Sequence, residues 1–203
     1  MLKVGLTGNI ASGKSTVAGI WRSLGALIVD SDELARRAVE PGGAVLARIA
    51  ERWGLEVLGP SGELDRGALR DRVFRDPAER AALEAIIHPR VAELRDEEFR
   101  HAEEQGARIV VADIPLLFEA GLASEFDLVV LVDAPEQVRR DRIVSDRGLD
   151  PAEADRMIAA QMPATGKRHL ADIVIDNTGS LEDLRADAER VWGEIRRRVE
   201  TPA

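Results

Sequence analysis

The chain has 203 residues, of which 45% are hydrophobic and 32% charged, with a formal net charge of −9. That length can bury a sizeable core, as one α/β domain with a small insertion or as two small domains, and with this composition a disordered chain is not the expectation. The acidic balance argues against a nucleic-acid partner held by general electrostatics, and the absence of cysteine excludes disulfides and thiolate metal sites. No apolar run reaches membrane-spanning length and no signal-peptide pattern precedes the first strand, so no membrane is expected and a cytoplasmic location is.

The apolar run Leu2 to Leu6 predicts a strand and leads into Gly8-Asn9-Ile10-Ala11-Ser12-Gly13-Lys14-Ser15, which fits G-x-x-x-x-G-K-[ST]. A strand that turns through glycines straight into a helix leaves several backbone N–H groups aimed at one concavity, where they cradle phosphate oxygens. Gly8 and Gly13 supply backbone freedom, Lys14 reaches the β and γ phosphates of a nucleotide, and the Ser15 hydroxyl is placed to ligate Mg²⁺. The helix continues through Thr16 to about Leu24 and stops at Gly25. Ala26 to Val29 predicts a short buried strand running into Asp30-Ser31-Asp32 and a helix from Glu33 to Val39. Those two carboxylates either act on a phosphoryl acceptor at the carboxyl edge of a sheet or cap the helix.

Strands are hard to find from Pro41 to Gly106, where helical periodicity dominates, so a helical insertion over 41–106 is expected. Helices are predicted over Ala44 to Trp53, Arg66 to Phe74, Pro77 to Ile87 and Pro89 to about Glu104, with His88 as a hinge between the last two or as a substrate contact. Ile109 to Ala112 resumes the sheet and ends in Asp113, a hydrophobic strand closing on a carboxylate that can hold Mg²⁺ directly or through water. Pro115-Leu116-Leu117-Phe118-Glu119-Ala120-Gly121 is unusually apolar for a connection, and either lines an organic substrate's pocket or packs a crossover. Asp127 to Asp133 is the clearest strand. The helix after it carries Arg139, Arg140 and Arg142, then Arg147 and the break Gly148-Leu149-Asp150-Pro151; these arginines belong to a lid closing on transferring phosphates or to a solvated face. A helix over Ala152 to Gln161, a strand over Ile173 to Ile175 ending in Asp176-Asn177, and a final amphipathic helix capped by Ser180 and Asp183 complete the chain.

Taken together, these residues resemble the dephospho-coenzyme A kinase family. The resemblance runs from Leu2 to at least Gly179 and rests on Gly-Leu-Thr-Gly before the loop, Val-Asp-Ser-Asp at 29–32, Val-Glu-Pro-Gly at 39–42 and Gly-Glu-Leu-Asp-Arg at 62–66. Ile-His-Pro at 87–89, Pro-Leu-Leu-Phe-Glu at 115–119, Ala-Ala-Gln at 159–161 and Ala-Asp-Ile-Val-Ile-Asp-Asn at 171–177 extend it.

The family implies an α/β P-loop kinase fold of three layers, with a five-stranded parallel sheet. Residues 1–40 and 107–203 would form the nucleotide-binding core, with a lid at about 139–170, and residues 41–106 the coenzyme A-binding insertion. It implies transfer of the γ-phosphoryl group of ATP, with Mg²⁺, to the ribose 3′-hydroxyl of dephospho-coenzyme A. Loop residues 8–16 would hold nucleotide, and Lys14 and Arg142 would stabilise the transferring phosphate. Asp32 would orient or deprotonate the acceptor, Asn177 would lie by the base, and Ser15 and Asp113 would attend the metal. Arg66, His88, Pro115, Leu116, Leu117 and Glu119 would meet the acceptor. The expected protein is a monomer or weak homo-oligomer acting on a small molecule.

Two departures stand out. Asn9 and Ala11 occupy positions where the family usually has glycine, which strains Ala11 if its φ is positive. Ser-Asp-Arg-Gly around Arg147 replaces the commoner Arg-Asp-Gly order, which shifts the second lid arginine by one position. Another small-molecule or nucleoside-type P-loop kinase would share the loop without Pro-Leu-Leu-Phe-Glu. A GTPase-like switch normally needs an Asn-Lys-x-Asp run, and Asp133-Ala134-Pro135-Glu136 and Asp176-Asn177-Thr178-Gly179 stand after the strands instead.

Overall fold

Strand β1 (Leu2–Gly8) forms the centre of the sheet, and every residue from Val4 to Gly8 is buried, the pattern of a parallel strand covered on both faces. The computed structural model describes residues 1–73 and 76–200. After β1 come α1 (Lys14–Ser23), β2 (Leu27–Asp30), α2 (Ser31–Arg37), α3 (Ala44–Trp53), α4 (Arg66–Val73) and α5 (Pro77–Glu104). They are followed by β3 (Ile109–Asp113), β4 (Leu128–Asp133), α6 (Glu136–Arg147), α7 (Pro151–Ala159), α8 (Ala164–Leu170), β5 (Ile173–Asp176) and α9 (Leu181–Glu200).

The five strands stand in the order β2-β3-β1-β4-β5, with β1 parallel to β3 and β4, and β4 parallel to β5. The register sets Leu6 beside Asp113, Gly8 beside Val132 and Asp133 beside Asp176. The carboxyl ends of β1, β3, β4 and β5 therefore share one edge, the edge at which open α/β sheets bind ligands. Val4, Leu6, Val111, Val130 and Val132 pack with Val17 and Trp21 of α1 and with Leu184, Val191 and Trp192 of α9. Trp21 Nε1 donates to Ala188 O at 2.8 Å, so its one polar group is satisfied inside the core. Gly5 has no room for a side chain: a Cβ there would lie 2.6 Å from Leu117 Cδ1 and 3.1 Å from the Phe126 ring. The turn after β3 thus seats directly on the central strand.

The chain divides into two compact units, 1–29 with 102–203, and 30–101. The helical unit begins before the Pro41 boundary expected from the helical periodicity, because α2 and Val39, two residues beyond its end, are tied into it. Val39 shares a core with Ile49, Trp53, Val57, Leu69 and Val73, and Arg37 pairs with Glu98. Glu79 joins α5 to α3 by accepting from Arg52 and from Trp53 Nε1. The predicted helix end at Phe74 lies outside the described residues.

Two helical expectations are corrected. The sequence predicts a break at His88-Pro89, yet α5 runs unbroken from Pro77 to Glu104 with Pro89 inside it. Proline removes one intrahelical hydrogen bond, and packing on both sides offsets the loss: Leu83, Ile86 and Ile87 lie on the helical core before it, and Leu94 and Phe99 are buried after it. The helix predicted to reach Gln161 stops at Ala159, and α8, unpredicted, follows after Pro163. Gly148 ends α6 in the left-handed region at φ 64° and Asp150 caps α7 by accepting from Ala152 N, as that break in the sequence requires.

Candidate active site

The turn between β1 and α1 has the shape of a phosphate cradle. Gly13 caps α1 at φ 96°, and Ser12 N closes the turn onto Asn9 O at 3.0 Å. At Gly8 a Cβ would meet Ser12 Oγ and, at 2.6 Å, the Val132 carbonyl; at Gly13 it would collide with Asn177 Nδ2. Both glycines are therefore demanded by space, and Gly13 by its backbone as well. Ala11 occupies the left-handed region at φ 58°, the one non-glycine residue with positive φ among the described residues. That conformation costs an L-residue about 1–2 kcal/mol, so its surroundings must hold it there.

Each of the four residues from Asn9 to Ser12 has a polar partner outside the loop. Asn9 Nδ2 donates to Met162 O at 3.2 Å, and Ile10 N donates to Gln161 Oε1 at 2.8 Å. Ala11 O accepts from Arg142 at 3.1 Å, and Ser12 O accepts from Asn177 Nδ2 at 2.8 Å. Apolar contacts add to these, since Ile10 and Ala11 pack on the cluster of Ile143, Ala154 and Ile158.

At the far side of the loop, Lys14 Nζ pairs with Asp113 Oδ1, both side chains largely buried. The two residues that the sequence assigned separately to phosphate and metal are therefore adjacent, because β3 lies in register beside β1. Ser15 and Thr16 sit exposed in the first turn of α1, where backbone N–H groups and the helix dipole favour an anion.

At the end of β2 the capping role falls to one of the two aspartates. Asp30 caps α2, accepting from Asp32 N at 2.8 Å and Glu33 N at 3.1 Å. Asp32 is exposed in the first helical turn. Arg66 opens α4, and His88 is on α5; both are exposed. The turn after β3 also splits: Leu117 and Phe118 are buried in packing, whereas Leu116 is 45% exposed and Pro115 is half-buried. Glu119 pairs with Lys167 at 2.8 Å and accepts from Met162 N at 3.0 Å.

The arginines of α6 separate in the same way. Arg139 is buried, donating to Ala134 O, and burial pulls its guanidinium below the usual arginine range. Arg140 binds Asp155, and Arg147 is exposed. Arg142 alone reaches the loop, spanning Ala11 O and, at 3.3 Å, Asn177 Oδ1. Arg168 of α8, which sequence reasoning missed, donates to Asp133 and Asp176 and is raised above the usual arginine range, Asp176 contributing most. Lys167 was also missed, although one signal pointed to it: 25 of the 28 basic residues are arginine, and only Lys3, Lys14 and Lys167 depart from that usage.

The dephospho-CoA kinase (CoaE) family model matches residues 2–183. A dephospho-CoA kinase of Corynebacterium glutamicum is 49% identical over 199 residues, covering 98% of this chain and 100% of that one. The crystal structure of TT1252 from Thermus thermophilus superposes with a TM-score of 0.81 at 42% identity, over 96% of this chain and 97% of that one. Dephospho-CoA kinase from Campylobacter jejuni gives a TM-score of 0.67 at 25% identity, over 95% and 96%. With the phosphate loop, its lysine–aspartate pair and the five-stranded sheet all in place, the chain belongs to the dephospho-CoA kinase family.

Proposed function

We propose that this chain transfers the γ-phosphoryl group of ATP to the ribose 3′-hydroxyl of dephospho-coenzyme A, giving coenzyme A and ADP, the final step of coenzyme A biosynthesis. The observation that carries this reading is the braced loop 8–15 with Lys14 against Asp113, in a chain matched over residues 2–183 by the dephospho-CoA kinase model.

Phosphoryl transfer asks for positioning and charge stabilisation more than for covalent chemistry. The N–H groups at the start of α1 bind phosphate oxygens, and Lys14 neutralises charge on the β and γ phosphates. Arg142, held by the loop carbonyl of Ala11 and by Asn177, adds a second cation at the loop. Asp32, not engaged as the helix cap, orients the acceptor hydroxyl and takes its proton, while Arg66 and His88 of the helical unit contact the acceptor. Asn177 serves the nucleotide side.

Among the described residues no group of three His, Cys, Asp or Glu side chains could hold a metal alone. The Ser15 hydroxyl and Asp113 carboxylate are hard oxygen donors of the kind Mg²⁺ takes, and these two residues would hold the ion beside the phosphates. When bound, that ion neutralises charge on the phosphates. No described helix is long and apolar enough to cross a membrane; a cytoplasmic monomer or weak homo-oligomer completes the reading.

The deciding experiment follows ADP release from ATP and Mg²⁺ with dephospho-coenzyme A beside adenosine, AMP, shikimate and gluconate. Rapid turnover with dephospho-coenzyme A alone, with the product phosphorylated on the 3′-hydroxyl, is the expected result. Turnover with another acceptor instead, or ATP binding without acceptor-dependent turnover, overturns it.

A further inference from the structure

Family resemblance places Glu119 at the acceptor, yet its carboxylate is engaged elsewhere. Oε1 accepts from Met162 N at 3.0 Å and lies 2.8 Å from Nζ of Lys167, an ion pair whose angle falls outside hydrogen-bond geometry. The Lys167 side chain is fully buried, and that of Glu119 is 23% exposed. A buried ammonium requires an anion beside it, and Glu119 supplies one. On its other side, residues 161–162 reach the phosphate loop: Gln161 Oε1 accepts from Ile10 N, and Met162 O accepts from Asn9 Nδ2.

We propose that Glu119 is a positioning residue for the nucleotide: its carboxylate, held by Lys167, fixes the Gln161-Met162 segment and through it the shape of the phosphate loop. The turn from Asn9 to Ser12 contains the strained Ala11 and keeps its form only if its neighbours over-determine it. Two of its four outside hydrogen bonds come from residues 161–162, and the backbone N–H between those two contacts is the one Glu119 holds. Loss of that anchor loosens the loop at Asn9 and Ile10, leaving the contacts of Arg142 and Asn177 in place. The effect falls on ATP, although Glu119 lies in the turn that the resemblance assigns to the acceptor. The proposal uses the kinase reading only for its kinetic measurements.

The test compares the intact chain with two double variants. Glu119→Leu with Lys167→Met removes both charges together, so no buried ion is left unpaired, and it leaves Met162 N without its acceptor. Glu119→Gln with Lys167→Met restores a neutral acceptor oxygen. ATP affinity is measured calorimetrically without acceptor, beside KM for ATP and for dephospho-coenzyme A. The Leu/Met variant is expected to bind ATP ~10-fold more weakly, the scale of a lost charge-assisted hydrogen bond. KM for dephospho-coenzyme A should stay within about twofold and the Gln/Met variant within about threefold of the intact chain in ATP affinity, a ground-state binding effect confined to one substrate.

A rise in KM for dephospho-coenzyme A with unchanged ATP affinity overturns the proposal and makes Glu119 an acceptor contact. Unchanged affinity for both substrates with only a lower Tm overturns it too, leaving a structural ion pair. If the Leu/Met variant does not fold, Glu119→Asp keeps the charge but shortens the reach to Met162 N. ATP affinity then falls at least about threefold, and unchanged affinity is again fatal. Absence of dephospho-coenzyme A turnover in the intact chain would defeat the proposed function alone, since the ATP titration still decides the role of Glu119.

Discussion

Asn177, just beyond β5, donates through Nδ2 to the carbonyl oxygen of Ser12 at 2.8 Å. The two residues are far apart in sequence, and the bond fixes the last turn of the phosphate loop before Gly13. The same side chain accepts from Arg142 through Oδ1, so one buried amide holds both the loop and the arginine that braces it.

Replacing Asn177 with Ala leaves the Ser12 carbonyl and one Arg142 nitrogen without their partner. ATP affinity is expected to fall ~10-fold, in line with the cost of stranding buried polar groups, with a smaller effect on KM for dephospho-coenzyme A. Isothermal titration with ATP checks this. Unchanged affinity would show that the loop keeps its shape without Asn177.

Asp32→Asn keeps the size of the side chain and removes its basicity. Because Asp30 caps α2, Asp32→Asn should fold normally and bind ATP almost as tightly as the native chain. Its kcat should fall by about 10²-fold, the scale of general-base assistance. A loss of under about threefold in steady-state turnover would retire Asp32 from the chemistry.

Ala11 and Gly13 make opposite predictions at neighbouring positions. Ala11→Gly relieves the left-handed strain at φ 58°, less the greater entropy of glycine in the unfolded chain, for a net gain of about 0.5–1 kcal/mol in urea unfolding. Gly13→Ala forces a Cβ into Asn177 at φ 96°, and a loss of about 2 kcal/mol or more is expected, with impaired ATP binding. Destabilisation by Ala11→Gly would mean that the Ala11 methyl's packing against Ile143, Ala154 and Ile158 outweighs the strain.

Glu79 gives the helical unit a pH dependence. Hydrogen bonds from Arg52 and then from Trp53 hold its carboxyl below the usual glutamate range. A lowered folded-state pKa contributes stability that is fully present above the unfolded value, roughly 4.3, and is lost as the pH falls through the lower folded value. The difference in Tm between the native chain and Glu79→Gln should therefore be largest near neutral pH and shrink on acidification through that window. A difference that stays constant with pH would assign the effect to packing against Trp53.

The phosphate loop, the five strands and their polar ends were legible in the sequence because each is a local signal. A glycine spacing dictates a turn, and a short apolar run dictates a buried strand. Lys14 and Asp113 could each be named, but their pairing depends on β3 lying beside β1, which no local pattern states. For Asp30 and Asp32, only the backbone direction at the helix start could separate cap from exposed carboxylate. Similarly, α5 runs through Pro89 because burial on either side outweighs a proline signal that is purely local.

The roles of Gln161, Met162, Lys167 and Arg168 were hidden for the same reason. Their partners are phosphate-loop groups, Glu119 in the turn after β3 and strand-end carboxylates, which become neighbours only when the parallel sheet assembles. Features carried by residue type and close spacing, the glycine-flanked loop above all, were thus readable in the sequence itself. Which of those groups face one another, and which are diverted into bracing the loop, was decided by long-range packing.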